Sequence, residues 1–183
     1  MSDIMFSMGQ IRKCPEIKGM VQAYRNEMIR RKIPSTWPDS DLIHQASLFY
    51  NETPITMIMY APLKRKDFGD TVGENVYVAG AYTEPSWRRC GLYTDLVDIM
   101  VNEWRKEDAY EWLRGGFHMD NEASRAMQLK QGREFYEVKG NYQRTRLSLR
   151  PTGNEYELTQ ETLRPILDKL DYLSVDPLSR YAN

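Results

Sequence analysis

The 183-residue chain predicts an α/β or α+β fold, a mixed and mostly antiparallel sheet flanked by helices, with a C-terminal appendage from about residue 150. Two runs carry apolar residues at helical spacing: Ile17, Met20, Val21, Tyr24 and Met28 in one, Leu92, Leu96, Ile99, Met100 and Trp104 in the other. Short β-branched and aromatic runs, residues 55–61, 76–83 and 112–118, have the length and composition of strands. Gly140-Asn141 separates two more such runs, residues 135–139 and 142–149, as a hairpin turn does, with the usual order of the turn pair reversed.

Taken in order, residues 6–12 alternate loosely and predict a first strand. Pro15 suits the first turn of the helix that follows, Arg30-Arg31-Lys32 suits the negative end of its dipole, and Pro34 stops it. Ser40-Asp41 is a capping pair and predicts a second helix through Phe49. Strands over 55–61 and 76–83 flank a polar, Gly-containing loop at 64–73, and a helical period begins at Gly91. A strand over 112–118 leads to Asp120-Asn121, both good caps, and a short helix ending at Gly132. After the hairpin, residues 151–154 have hinge composition, and residues 159–170 predict a last short helix that is broken before Pro177. Two units are thus expected, residues 1–150 and an extension over 151–183.

Composition narrows the function. With 41% hydrophobic, 28% charged and 11% aromatic residues the chain is neither disordered nor fibrous. A chain this long buries roughly 70% of its unfolded surface and needs no disulfide staples. No apolar run approaches the ~18 residues that span a bilayer, and the N-terminus lacks the pattern of an export signal, so a cytoplasmic protein without membrane contact is expected. Cys14 and Cys90 read as reduced thiols, and His44 and His118 lack the partners that metal sites require. Seven basic against two acidic residues give residues 10–32 a net +5, while three basic against six acidic give residues 151–183 a net −3. That tail is expected either to fold back on the basic face or to meet a homo-oligomer or assembly partner. No groove-reading motif accompanies the basic stretch, and no nucleic-acid partner is predicted.

The chemistry lies between residues 76 and 97, where a strand, a kink at Glu84-Pro85, a basic loop and a helix follow one another. Arg88-Arg89-Cys90-Gly91 sits where the first N–H groups of that helix are unpaired and where its dipole favours an anion. Gly91 lets the backbone approach a phosphate and the arginines add charge, which describes a pyrophosphate cradle. A plain strand-to-helix turn with solvated arginines is the other reading of those four residues. The Lys-Ser/Thr of a P-loop and the three glycines of a dinucleotide fingerprint are missing, so nucleotide hydrolysis and nicotinamide binding are disfavoured. No GxSxG or Cys/His constellation supports a hydrolase.

The order and spacing of these residues resemble the GNAT family of N-acetyltransferases. Its acyl-CoA motif, Arg/Gln-x-x-Gly-x-Gly/Ala between a splayed strand and a helix, is matched by Arg88-Arg89-Cys90-Gly91-Leu92-Tyr93, after a lead-in at Glu84-Pro85-Ser86-Trp87. Downstream, the strand over 112–118, Asn121, Met127, Lys130-Gln131-Gly132 and the final strands follow the family's order. The resemblance covers roughly residues 5–149. It implies N-acyl transfer from acetyl-CoA, the co-substrate, to an amine acceptor, with no metal. It also implies cofactor contacts from Tyr82, Thr83, Arg88, Arg89, Gly91, Leu92, Tyr93 and Asn121. Glu84 is the expected base, with an exposed loop carboxylate as its other reading. Gln128 stands where many members have the tyrosine that protonates the departing thiolate, and Tyr136 and Tyr142 are candidate substitutes. Tyr93 replaces the second small residue of the cradle. Trp37, Tyr50 and Tyr60 could line an acceptor pocket or belong to the core. The alternative function is a catalytically weak or silent binding or assembly protein of the same fold, part of a larger particle such as a virion.

Overall fold

The computed structural model describes residues 2–32, 42–63 and 75–176. Trp37, the 64–73 loop, Pro34, the Ser40-Asp41 cap and Pro177 lie outside the described residues.

Seven strands form one sheet in the order β1-β2-β3-β4-β5-β7-β6. They are β1 Ile4–Gln10, β2 His44–Tyr50, β3 Thr53–Leu63, β4 Asn75–Thr83, β5 Trp112–His118, β6 Glu134–Lys139 and β7 Tyr142–Ser148. Every pairing is antiparallel except β4 with β5, so the sheet is mixed and mostly antiparallel. The single parallel pair follows from its connection, because α2, Leu92–Glu107, crosses over between β4 and β5. Helix α1, Lys18–Arg30, buries Met20 and Tyr24 on one face of the sheet, against Met57, Met59 and Tyr82. On the other face α2 buries Leu96, Ile99, Met100 and Trp104 against Ile58, Tyr60, Val76 and Leu113. Short α3, Glu122–Lys130, bridges β5 and β6.

One expectation is corrected. The helix through Phe49 is instead β2, an interior strand paired on both sides with five consecutive buried residues. Its polar members are paired: Gln45 Nε2 donates to Ser7 Oγ at 3.2 Å and Ser47 Oγ to Gln45 Oε1 at 2.5 Å. Asn51 and Glu52, at φ +48° and +63°, form the two-residue turn into β3, the conformation that a tight hairpin requires at both central positions.

Residues 151–154 lack helix and strand, and α4, Gln160–Val175, follows them and packs back on the preceding elements. Thr159 caps it, accepting from the Thr162 N–H at 3.3 Å, while Thr162 Oγ1 accepts from the Thr159 N–H at 2.8 Å. Leu163, Leu167 and Leu170 then enter the same core as Ile4, Leu96 and Trp104. The helical spacing of those leucines, rather than the acidic surplus, governs where the segment goes.

Candidate functional site

The site begins with a fault in the sheet. Strands β4 and β5 pair only over Asn75, Val76 and Tyr77 against Trp112, Leu113 and Arg114, and then part. At that point β4 carries a bulge: Gly80 faces Met59 and Val78 faces Tyr60, leaving Ala79 as an extra residue. A bulge bends and twists its strand, which turns the rest of β4 away from β5. Main-chain groups of residues 78–83 on the β5 side therefore have no strand partner, and a space of about 300 Å³ opens between the strands. Val78, Ala81, Gly115, Gly116, Gln128 and Arg133 are among its lining residues.

Glycines set the width of this opening. A Cβ on Gly116 would lie 2.5 Å from the Gln143 carbonyl oxygen and from the Tyr142 ring, so the Tyr142 ring lies directly on β5. A Cβ on Gly80 would lie 2.5 Å from the Tyr24 hydroxyl, and α1 thus lays a second tyrosine on β4. Gln128 is 5% exposed; its Oε1 accepts from Thr145 Oγ1 at 2.5 Å and its Nε2 donates to Ser124 Oγ at 3.2 Å. A second space of about 300 Å³ opens on the α1 side, lined by Tyr24, Glu27, Arg31, Tyr82, Thr83 and Arg88 among others. The two spaces share Ala81 and Tyr93. Tyr93 thus stands at their border, and burial pushes its phenol pKa up, which keeps it neutral.

Beyond Thr83 the chain makes a 3-10 turn, Pro85–Trp87, and enters α2 through two left-handed residues, Arg89 at φ +68° and Gly91 at φ +81°. Only glycine adopts the latter without strain. The N–H groups of Leu92, Tyr93 and Thr94 begin a 16-residue helix and have no partner within it. They point, with the positive end of the dipole, to the exposed side of Gly91. A cation comes to this turn from the far end of the sequence: Lys169 Nζ of α4 donates to the Cys90 carbonyl at 3.2 Å and pairs with Asp95. It lies 3.7 Å from where a Gly91 Cβ would sit.

The expected site residues separate into those at this turn and slot and those held elsewhere. Gly91, Tyr93 and Gln128 are there, and exposed Arg89 adjoins the turn. Leu92 supplies backbone only, its side chain being buried in the core. Tyr82 and Thr83 line the α1-side space. Arg88 is committed to α1: Nη2 pairs with Glu27 Oε2 at 2.7 Å and Nε donates to the Thr83 carbonyl at 2.9 Å. It therefore ties the end of β4 to α1. Asn121 is the cap of α3, accepting from the Ser124 N–H at 3.1 Å. Glu84 lines neither space. Tyr136 is also outside both; its hydroxyl accepts from Arg114 Nη1 at 3.2 Å. Of the acceptor-pocket candidates, Tyr60 is core and Tyr50 donates to Asp171 Oδ1 at 2.8 Å. Cys90 donates to the Trp87 carbonyl at 2.7 Å. Among the described residues no group of three His, Cys, Asp or Glu could hold a metal ion, and no helix is long and apolar enough to cross a membrane. A larger cavity of about 660 Å³ runs along edge strand β1, and none of the expected site residues lines it.

Sequence reasoning missed Lys169, Tyr24 and Arg133. Lys169 is 78 positions from the glycine it approaches, and no periodicity reports such a contact. Arg133 directly follows the Lys130-Gln131-Gly132 signal and could have been found by asking what occupies the next position.

Solved acetyltransferases superpose on this seven-stranded mixed sheet and its helices. An N-acetyltransferase from Staphylococcus aureus superposes with a TM-score of 0.60 at 15% identity, over 80% of this chain and 98% of that one. The chain has the GNAT fold. NAA60 of Arabidopsis thaliana, solved with a bisubstrate analogue, superposes at 0.57 with 11% identity, over 80% of this chain and 98% of its own. The ribosomal-protein-S18-alanine N-acetyltransferase of Escherichia coli superposes at 0.54 with 14% identity, over 85% and 100%. NAA60 has also been solved with acetyl-CoA. No family model matches the sequence, and no curated protein sequence matches it. The GNAT fold here is therefore visible in three dimensions at identities where sequence comparison is silent.

Proposed function

We propose that this GNAT-fold chain moves an acyl group from acyl-CoA to an amine. The observation that carries the reading is that Tyr93, in the first turn of α2, lines the slot between β4 and β5, so a slot suited to a thioester adjoins a helix N-terminus suited to a pyrophosphate. In this reading the N–H groups of Leu92, Tyr93 and Thr94, with Arg89 and Lys169 nearby, hold the pyrophosphate. The pantetheine arm runs back along the unpaired edge of β4, and the thioester reaches the bulge. A free N–H of residues 79–81 donates to the carbonyl oxygen as it becomes an oxyanion. The amine enters from the α1-side space and attacks the carbonyl carbon; the C–N bond forms, the C–S bond breaks, and the thiolate departs.

Proton transfer is the weakly equipped part. Gln128 at the slot donates a hydrogen bond but supplies no acid proton. A thiol of pKa about 8.5 is a fair leaving group without one, taking its proton from water. Glu27, the carboxylate lining the α1-side space, is held by Arg88 at 2.7 Å and Arg31 at 2.5 Å, so it is no free base. Glu84, the expected base, lines neither space. These features, with Tyr93 standing between the two spaces, favour the second reading, a GNAT-fold binding protein with slow or absent turnover. Thiol release from acetyl-CoA in the presence of a panel of primary amines and peptides separates the two: acceptor-dependent release supports the enzyme, and acetyl-CoA binding without release supports the binding protein.

A further inference from the structure

Arg133 is 6% exposed, yet it lines the slot between β4 and β5. Its Nε donates to the neutral Gln131 Oε1 at 2.8 Å and its backbone N–H to the Gln128 carbonyl at 3.1 Å. Neither terminal guanidinium nitrogen has a hydrogen-bond or carboxylate partner among the described residues. Nη1 lies 3.3 Å from where a Cβ of Gly115 would sit, and Val78 Cβ lies 4.0 Å from that same point. The guanidinium is therefore at the closed end of the slot, beside the last paired residues Tyr77 and Arg114. Burial lowers its pKa from the ordinary value; the Tyr93 phenol, itself kept neutral, opposes that shift and supplies no counter-charge. A cation desolvated without an anion costs free energy that a bound anion recovers.

Direction along β4 says which part of a ligand meets this cation. The cradle at Gly91 lies beyond the Thr83 end of β4, while Arg133 lies at the Val78 end. Five residues of extended strand separate Val78 from Thr83, roughly 16 Å. A ligand with its pyrophosphate at the cradle reaches Arg133 with its acyl end. We infer that the slot selects a short dicarboxylic acyl-CoA, of malonyl or succinyl type, whose free carboxylate pairs with Arg133. This rests on the acyl-CoA reading above and deepens it. The transfer balances as for acetyl: the amine nitrogen bonds the thioester carbon, the C–S bond breaks, CoA leaves as the thiol with the proton the amine gives up, and the distal carboxylate stays ionised.

Calorimetric titration of the full chain with CoA, acetyl-CoA, butyryl-CoA and succinyl-CoA tests it. Butyryl matches the carbon chain without the charge. Succinyl-CoA should bind about tenfold or more tighter than butyryl-CoA, the usual scale of a desolvated charge-assisted pair. Arg133→Met should abolish that preference while leaving free CoA affinity and cooperative melting intact. Should that variant fail to fold, Arg133→Lys, which keeps the charge, should retain part of the preference. Equal affinity of the wild-type chain for butyryl- and succinyl-CoA overturns the inference while leaving the acyl-CoA reading standing. So does an Arg133→Met variant that loses free CoA as strongly as succinyl-CoA, since Arg133 would then contact the cofactor itself. No binding of any CoA species overturns the acyl-CoA reading instead.

Discussion

Removing α4 should unfold the protein. Leu163, Leu167, Leu170 and Leu173 are 5%, 7%, 0% and 6% exposed, and the first three join the core of β1, α2 and the sheet. Each fully buried leucine contributes ~1.5–3 kcal/mol, so the four together contribute about 6–12 kcal/mol. A domain of this size is stable by about 5–15 kcal/mol, and the loss is of the same order. A chain ending at residue 158 should therefore show no cooperative thermal transition by circular dichroism, whereas one ending at residue 176 should melt like the full chain. The graded version is Leu170→Ala, expected to cost about 2–5 kcal/mol in urea unfolding and lower Tm by roughly 10 °C. Ile29→Ala, at a residue 73% exposed, serves as the control and should leave Tm unchanged. A 1–158 chain that melts cooperatively within a few degrees of full length would refute the reasoning and support the boundary at 150.

Three further outcomes are expected. Gly116→Ala should destabilise by about 1–3 kcal/mol in urea unfolding, because its Cβ meets the Gln143 carbonyl as well as the Tyr142 ring and main chain yields least. Tyr93→Ala, which joins the two spaces, should tighten CoA binding about fivefold by calorimetry, the equivalent of sparing ~1 kcal/mol of side-chain rearrangement. Glu155 accepts from the Thr152 N–H and hydroxyl and the Gly153 N–H, which hold its carboxyl down to about 2. A depressed folded-state pKa stabilises above the unfolded value and is lost as pH falls, so the Tm gap between wild type and Glu155→Gln should close between pH about 4.5 and about 2.

The parts of the fold legible in the sequence are those with a local cause. The leucine and aromatic spacing of α2 and the run at Trp112–His118 are satisfied by period alone, and Gly140-Asn141 marks its own turn. Strand β2 was not legible. Its Gln45 and Ser47 look solvent-facing, and only pairing with β1 and β3 explains their burial. In the candidate site, Gly91 and Gln128 could be placed by order along the chain. The commitment of Arg88 to Glu27 spans 61 positions and that of Lys169 to Asp95 spans 74, and neither has a local signature. The bulge at Ala79 likewise depends on where β3 pairs and not on β4 alone.

Where CoA binds decides between an acyl-CoA site at the slot and none. Amide chemical shifts of the isotopically labelled full chain, followed during titration with CoA, should move first and furthest at residues 91–94, where the cradle begins α2, and at residues 79–81, where the bulge frees the edge of β4. Saturable shifts at both segments, with β1 and its 660 Å³ cavity unaffected, are the predicted result. Saturable binding that leaves both segments still, or no binding at millimolar CoA, would contradict it.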